Sequence, residues 1–254
     1  MGELLGITGA IGSGKSTFAS CLADTTEDHA IYETWQVVAE IAAAFNQALK
    51  AELAYETAGS PLELANQVLI WLPDAISENL HHDVVWNQLA IVKHDTLTRP
   101  ELYEKLFVYL QQVDKDRALL DTPLTDETKE QFRALLQWLG GYLVAKLSKT
   151  IWYDEMMRRV QLRNPTTSLV IIGGVRYTSD AVVLREHGGK IIGLERPGTE
   201  PQPADVTEAE RSGIKPDIIV VNNGTIDQLG TLAETLVNDL GAGQAGDRYI
   251  ANPD

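Results

Sequence analysis

A single cysteine, Cys21, stands among the 254 residues, which leaves no partner for an intramolecular disulfide and no thiolate cluster for a structural metal. The expected setting is a reducing, cytoplasmic one. No basic N-terminal region runs into an apolar stretch, and no segment reaches the ~18 uninterrupted apolar residues of a membrane span, so no membrane association is expected. Positive charge is scarce too: 21 Lys+Arg against 36 Asp+Glu give a formal net charge of −15. A surface of that sign repels phosphate backbones and argues against nucleic acid as a partner. Any small anionic substrate must therefore be caught by a local basic pocket. With 44% hydrophobic and 22% charged residues the chain is an ordinary globular protein, long enough for one large α/β domain or a core with an insertion.

What is present begins at the N-terminus. The apolar run Glu3-Leu4-Leu5-Gly6-Ile7-Thr8 breaks into Gly9-Ala10-Ile11-Gly12-Ser13-Gly14-Lys15-Ser16, which satisfies the G-x-x-x-x-G-K-[ST] pattern of a P-loop between a strand and a helix. The pattern has a mechanism. Glycines let backbone N–H groups turn inward around phosphate oxygens, and the following helix adds the partial positive charge of its N-terminus. Gly9, Gly12, Ser13 and Gly14 are the expected cradle, Lys15 reaches the β- and γ-phosphates, Ser16 holds Mg²⁺, and Thr17 is placed for the α-phosphate.

Elsewhere the chain alternates between two textures. Residues 34 to 55 contain neither Gly nor Pro, and Trp35, Val38, Ile41, Phe45, Leu49 and Leu53 recur at helical spacing, predicting a long amphipathic helix. Ser60-Pro61-Leu62-Glu63 and Thr98-Arg99-Pro100-Glu101 are capping-box starts for further helices, so residues 34 to 140 read as a mostly helical insertion. Its apolar faces are wide enough to pair with a second copy in a homodimer, or equally to pack on the core. Strand runs return at Ser168 to Ile172, Lys190 to Leu194 and Asp217 to Val221, with helices at Asp180 to His187 and Thr225 to Leu240. Together with Ala30 to Tyr32, ending at Glu33, these predict a three-layer α/β P-loop fold with a parallel sheet. One domain, 1–254, is expected. Residues 241–254, rich in Gly and Ala, read as a flexible tail.

Only Lys15, Lys50 and Lys93 precede residue 99 among the basic residues, whereas Lys129, Arg133, Lys146, Lys149, Arg158, Arg159 and Arg163 crowd one later stretch. Transfer of a γ-phosphoryl group needs cations over its equatorial oxygens, and Arg158 and Arg159 are candidates for a lid that supplies them. Glu33, at the carboxyl end of a predicted strand where open α/β sheets bind ligands, is a candidate for orienting the acceptor. Asp24 and Asp121 are weaker ones. His81, His82 and Asp83 lie within a helical pattern that points neighbours in different directions, so no protein-held metal beyond nucleotide-borne Mg²⁺ is expected. Trp71, Trp86, Trp138 and Trp152 suit a core better than a base-stacking platform. No Asn-Lys-x-Asp guanine reader occurs. Small-molecule phosphoryl transfer is the class left standing.

Several later segments carry a resemblance. Leu136-Gln137-Trp138-Leu139-Gly140, Ile151-Trp152, Val175-Arg176-Tyr177, Leu194-Glu195-Arg196-Pro197-Gly198, Thr207-Glu208, Pro216-Asp217 and Asn222-Asn223-Gly224-Thr225 resemble the phage deoxynucleoside monophosphate kinases. That resemblance implies transfer of the ATP γ-phosphate to a small-molecule nucleotide acceptor with Mg²⁺, in the host cytoplasm if the chain is phage-encoded. It implies that Arg133, Gln137, Arg176 and Trp152 lie on the acceptor side, with Lys146 in place of a family arginine, and that Arg196 lies beside the nucleotide. The chain departs from the family at Gly174, where an acid precedes Val-Arg, at Ser179-Asp180 in place of Asn-Glu, at Asp205 in place of His, and at Gly141 in place of Thr. Two other readings stand beside this one. A kinase of the same fold could act on another small-molecule or modified-base hydroxyl, or the chain could bind nucleotide without turnover.

Overall fold

A computed structural model describes residues 2–55, 103–146, 148–199 and 211–251. Two compact units divide the chain, one made of Met1–Thr34 with Tyr153–Asp254 and the other of Trp35–Trp152.

The first unit is built on a six-stranded sheet in which all described pairings are parallel: β1 (Glu3–Gly9), β2 (His29–Glu33), β3 (Leu169–Gly173), β4 (Lys190–Glu195), β5 (Ile218–Asn222) and β6 (Arg248–Ala251). The spatial order is β2-β3-β1-β4-β5-β6. β1 lies at the centre because it is apolar on both faces and can be buried from both, as a parallel sheet requires. Its odd-numbered side chains, Leu5 and Ile7, join Ile171, Ile192, Leu194 and Val220 in a core that takes Phe18 and Leu22 from α1 (Lys15–Ala23). Leu229, Leu232, Leu236 and Leu240 of the C-terminal helix Ile226–Gly241 complete it. The even-numbered position Gly6 faces the opposite side, where a Cβ would stand 2.7 Å from Leu184 Cδ2 of the helix Thr178–Glu186. Helices thus cover both faces, and the three-layer α/β class expected from the pattern is the class observed. Strand order reverses direction at β1, so the crevice at its carboxyl end is the place where open α/β sheets take ligands.

In the second unit, α2 (Thr34–Tyr55) has the span read from the absence of Gly and Pro. Val38, Ile41, Phe45 and Leu49 are buried as the spacing demands, and Val37, Ala39, Ala42 and Asn46 widen the face. Asn46 is a tolerated polar core residue because its Oδ1 accepts from Tyr109 Oη at 2.6 Å. Tyr109 belongs to α3 (Glu104–Lys115), which is followed by two short 3-10 turns and by α4 (Arg133–Lys146). Trp138 of α4 packs on Phe45 and stacks on Tyr142 with 5.2 Å between ring centroids. The division into units falls near the start of α5 (Ile151–Arg163), so the helical unit runs past the 34–140 limits read from the sequence. The remaining described helices are α6 (Thr178–Glu186) and α7 (Ile226–Gly241). The capping-box starts at Ser60 and Thr98, together with His81, His82, Asp83, Trp71, Trp86 and Asp205, lie outside the described residues.

The flexible tail expected over 241–254 is corrected in part: β6 occupies Arg248–Ala251 and pairs in parallel with β5. Its anchors lie far from it in sequence or are single side chains, which is why a Gly/Ala-rich composition hid it. Ile219 N–H donates to Asp247 O at 2.8 Å, Tyr249 Oη donates to Asp239 of α7 at 2.9 Å, and Ala251 is buried in the core. Ending the chain after Gly246 is therefore expected to cost about 2 kcal/mol from the lost strand pairing and apolar burial, read as a lower urea midpoint. An unchanged midpoint would mean that β6 adds nothing to stability.

Candidate functional site

The loop joining β1 to α1 runs from Gly9 to Gly14. Gly12 and Gly14 take φ values of 80° and 94°, a left-handed backbone that glycine adopts without the Cβ penalty. Both positions need that freedom to turn the chain tightly into α1. Gly9 is glycine for a different reason, since a Cβ there would stand 2.5 Å from Leu194 O and 2.7 Å from Ser13 Oγ. The first turn of α1 contains no acidic residue and its Gly14 N-cap supplies no side-chain cap, so its N-terminal dipole is not offset locally by a carboxylate. Ser16 and Thr17, which open that turn, are exposed.

The loop carbonyls are tied to side-chain donors. Lys15 Nζ donates to Gly9 O at 2.8 Å and to Ala10 O at 2.7 Å, which lays the ammonium across the loop. Arg196, just past β4, donates through Nη1 to Gly12 O at 3.5 Å. Asn222, the last residue of β5, donates through Nδ2 to Ser13 O at 2.9 Å. These residues fit a triphosphate and its Mg²⁺: a cradle too tight for any Cβ at Gly9, an ammonium lying across it, and an exposed hydroxyl at Ser16. The sequence-predicted set of Gly9, Gly12, Ser13, Gly14, Lys15, Ser16, Thr17 and Arg196 is therefore gathered around one loop.

A second group assembles at the carboxyl ends of β2 and β3. Glu33 closes β2, and its carboxylate lies across Gly173, where a Cβ would come within 2.7 Å of Glu33 Oε1. Gly174 follows with φ 75°, and the backbone then places Arg176, exposed, ahead of α6. Asp180 of α6 is buried, and its Oδ2 accepts from the backbone N–H of Arg176 at 3.1 Å and of Tyr177 at 2.9 Å. The shape of the Arg176 turn is thus held by one carboxylate. Tyr153 lies beneath this group. Burial first, and then the negative charge of Asp180, push its phenol well above the ordinary range, with Arg176 working the other way.

The third group is on α5. Glu155 is only 2% exposed and binds two arginines at once: Oε1 accepts from Arg159 Nε at 2.6 Å, and Arg158 grips both oxygens through Nε and Nη2 at 2.7 Å each. Burial raises the carboxyl's pKa, but the hydrogen bonds and charges of Arg158 and Arg159 override it, so Glu155 titrates below the usual carboxylate range. Arg159 is 5% exposed, whereas Arg158 is a third exposed. Of the two candidate lid arginines, Arg158 is the more exposed.

Arg133, Gln137, Lys146 and Trp152 belong to the helical unit. Arg133 and Gln137 are exposed one turn apart on α4, with Arg133 Nε donating to Glu130 at 2.7 Å. Trp152 is a core residue whose Nε1 donates to Gly140 O at 2.9 Å, and the Lys146 side chain lies outside the described residues. Asp121 is engaged in an ion pair with Lys50, and Asp24 caps the C-terminus of α1. Among the described residues no cluster of His, Cys, Asp and Glu could hold a metal ion, and no helix is long and apolar enough to cross a membrane. Sequence reasoning did not single out Glu155, although its i,i+3 and i,i+4 spacing to Arg158 and Arg159 was there to be read. It also missed the loop contact of Asn222, for which no local signal exists.

The family model described as deoxynucleotide monophosphate kinase matches residues 3–232. A relative named "Putative deoxynucleotide monophosphate kinase" from Acanthamoeba polyphaga mimivirus is 35% identical over 79 residues, covering 31% of this chain and 38% of that protein.

The Glu155 cluster makes a stability prediction. Glu155→Gln removes the carboxylate of a buried ion pair and is expected to cost about 3–5 kcal/mol at pH 7 in urea unfolding. Because the folded-state pKa is depressed, the wild-type contribution is complete above the unfolded value of ~4.3 and is lost as pH falls through the lower folded value. The gap between wild type and variant should therefore narrow only in acid. A gap that stays constant down to pH 2 would contradict the assignment.

Proposed function

Because the chain belongs to the deoxynucleotide monophosphate kinase family, we propose that it moves the γ-phosphoryl group of ATP onto the phosphate of a deoxynucleoside monophosphate, producing the diphosphate and ADP. The relative just described is matched over less than half of its length, so activity and substrate rest on the site itself. The observation that carries the reading is the β1–α1 loop, with left-handed glycines at 12 and 14 and the Lys15 ammonium lying across it.

In this reading an oxygen of the acceptor phosphate attacks the γ-phosphorus as the bond to the β,γ-bridging oxygen breaks, and the electron pair leaves with ADP. Little covalent work falls to the protein. Its task is to align the two oxygens and neutralise the charge on the transferred group. Lys15 leaves the loop carbonyls for the β- and γ-phosphates, the loop amides and α1 N-terminus hold the remaining oxygens, and Arg158 adds a cation from the lid. Ser16 would hold Mg²⁺, which supplies further charge neutralisation between the phosphates when bound. Glu33 and Arg176, at neighbouring strand ends, orient the acceptor: Arg176 pairs with its phosphate, and Glu33 accepts from its sugar or base. Arg133, Gln137, Lys146 and Trp152 remain the acceptor-side set that the family resemblance suggests. Gly174 stands where the family has an acid, and that observation favours the second reading, a nucleotide-binding protein without turnover.

Supplying Mg-ATP with each common deoxynucleoside monophosphate should release ADP only when the correct acceptor is present. Lys15→Ala should lower kcat by about 100-fold or more, since it removes a cation from the transferring group. ATP retention with no stimulated ADP release by any monophosphate would replace the kinase reading with the binding-protein one. An Arg176→Ala variant should raise the acceptor KM by about tenfold while leaving the ATP KM close to wild type, since a charged hydrogen bond to the acceptor alone is lost.

A further inference from the structure

Four carbonyls of the phosphate-binding loop are held by side chains, and the holders are not equivalent. Gly9 O and Ala10 O accept from Lys15, the group that must leave them to reach a phosphate, and Ala10 O accepts besides from the backbone N–H of Ser13 at 3.2 Å. Gly12 O is reached by Arg196 at 3.5 Å, a long contact from an exposed side chain. Ser13 O accepts from Asn222 Nδ2 at 2.9 Å, and both residues are buried. Asn222 is thus the anchor whose bond does not compete with phosphate binding.

The Ser13–Gly14 peptide gives that bond its consequence. A trans peptide is planar, so the carbonyl oxygen of Ser13 and the N–H of Gly14 point in opposite directions. Gly14, at φ 94°, has no Cβ to resist rotation of this unit, and one flip would exchange the two groups, presenting a carbonyl oxygen where an amide hydrogen had been. An oxygen dipole facing a triphosphate repels it, whereas the N–H attracts it. The carboxamide also fills the space beside the loop closely enough that a Cβ on Gly14 would stand 2.7 Å from Nδ2. The backbone of Asn222 is held in turn by β6, where it pairs with Ala251.

We propose that Asn222 is a positioning residue for the nucleotide: by holding the Ser13 carbonyl from the end of β5, it keeps the Gly14 N–H turned toward the triphosphate. The proposal deepens the kinase reading and rests on its assignment of the loop. It acts on ATP and not on the acceptor, so its signature is selective.

Asn222→Asp preserves size but replaces the donor with an acceptor facing another acceptor, and Asn222→Ala removes the donor. In equilibrium dialysis of the full-length protein with ATP and Mg²⁺, the Ala variant should raise the ATP Kd by about tenfold and the Asp variant by more. In the kinase assay, the KM for ATP should rise while kcat and the KM for the monophosphate stay within about twofold of wild type. Should the Asp variant fail to fold, the Ala variant carries the test. Either folded variant retaining ATP within about twofold of wild type overturns the proposal, as does a fall in kcat at unchanged KM for ATP, the mark of a purely structural role. Wild-type retention of ATP without turnover would remove the kinase reading alone, with the clamp still decided by dialysis. No retention by the wild type overturns both.

Discussion

Turning backbone amides inward around an anion is the constraint on which this architecture depends. A loop can do so only if it reverses direction tightly, which requires left-handed residues at Gly12 and Gly14, and only if its carbonyls are held away from the anion. The parallel sheet makes both possible. β1 ends in the middle of the sheet, and its neighbours on one side end beside it, bringing Leu194 against Gly9 and Asn222 against Ser13 and Gly14. A loop hung from an edge strand would have walls on one side at most.

Charge is organised by similar means elsewhere in the molecule. The molecule is strongly acidic, yet its arginines on α5 and ahead of α6 are given a partner or a held backbone. Glu155 binds Arg158 and Arg159 together, and Asp180 fixes the backbone from which Arg176 projects. Breaking such buried pairs leaves an uncompensated charge, so they set geometry more than they add net stability. The arrangement leaves Arg158 partly exposed and Arg176 exposed, each tied to a carboxylate that is itself buried.

Much of the fold was legible because its signals are local. A helix of 22 residues announced itself through spacing and the absence of breakers, and the β1–loop–α1 unit through eight consecutive positions of one motif. β3, β4 and β5 were placed to within a residue at each end, because short apolar runs there are bounded by glycine or asparagine. β6 was not legible. Four residues of mixed polarity in a glycine-rich segment have no period of their own, and their strand character comes from β5 lying next to them.

What the amino-acid order determined unaided was the chemistry that neighbouring residues perform together: the phosphate-binding loop, the amphipathic helices and the alternation that requires a parallel sheet. Only the tertiary structure decided which distant residues serve that chemistry. Asn222 meets Ser13 across 209 positions, and Glu33 lies over Gly173 because β2 and β3 pair in register. The physical reason is that spacing along a chain encodes which face a side chain occupies, whereas the neighbour across a sheet is chosen by packing summed over the whole core.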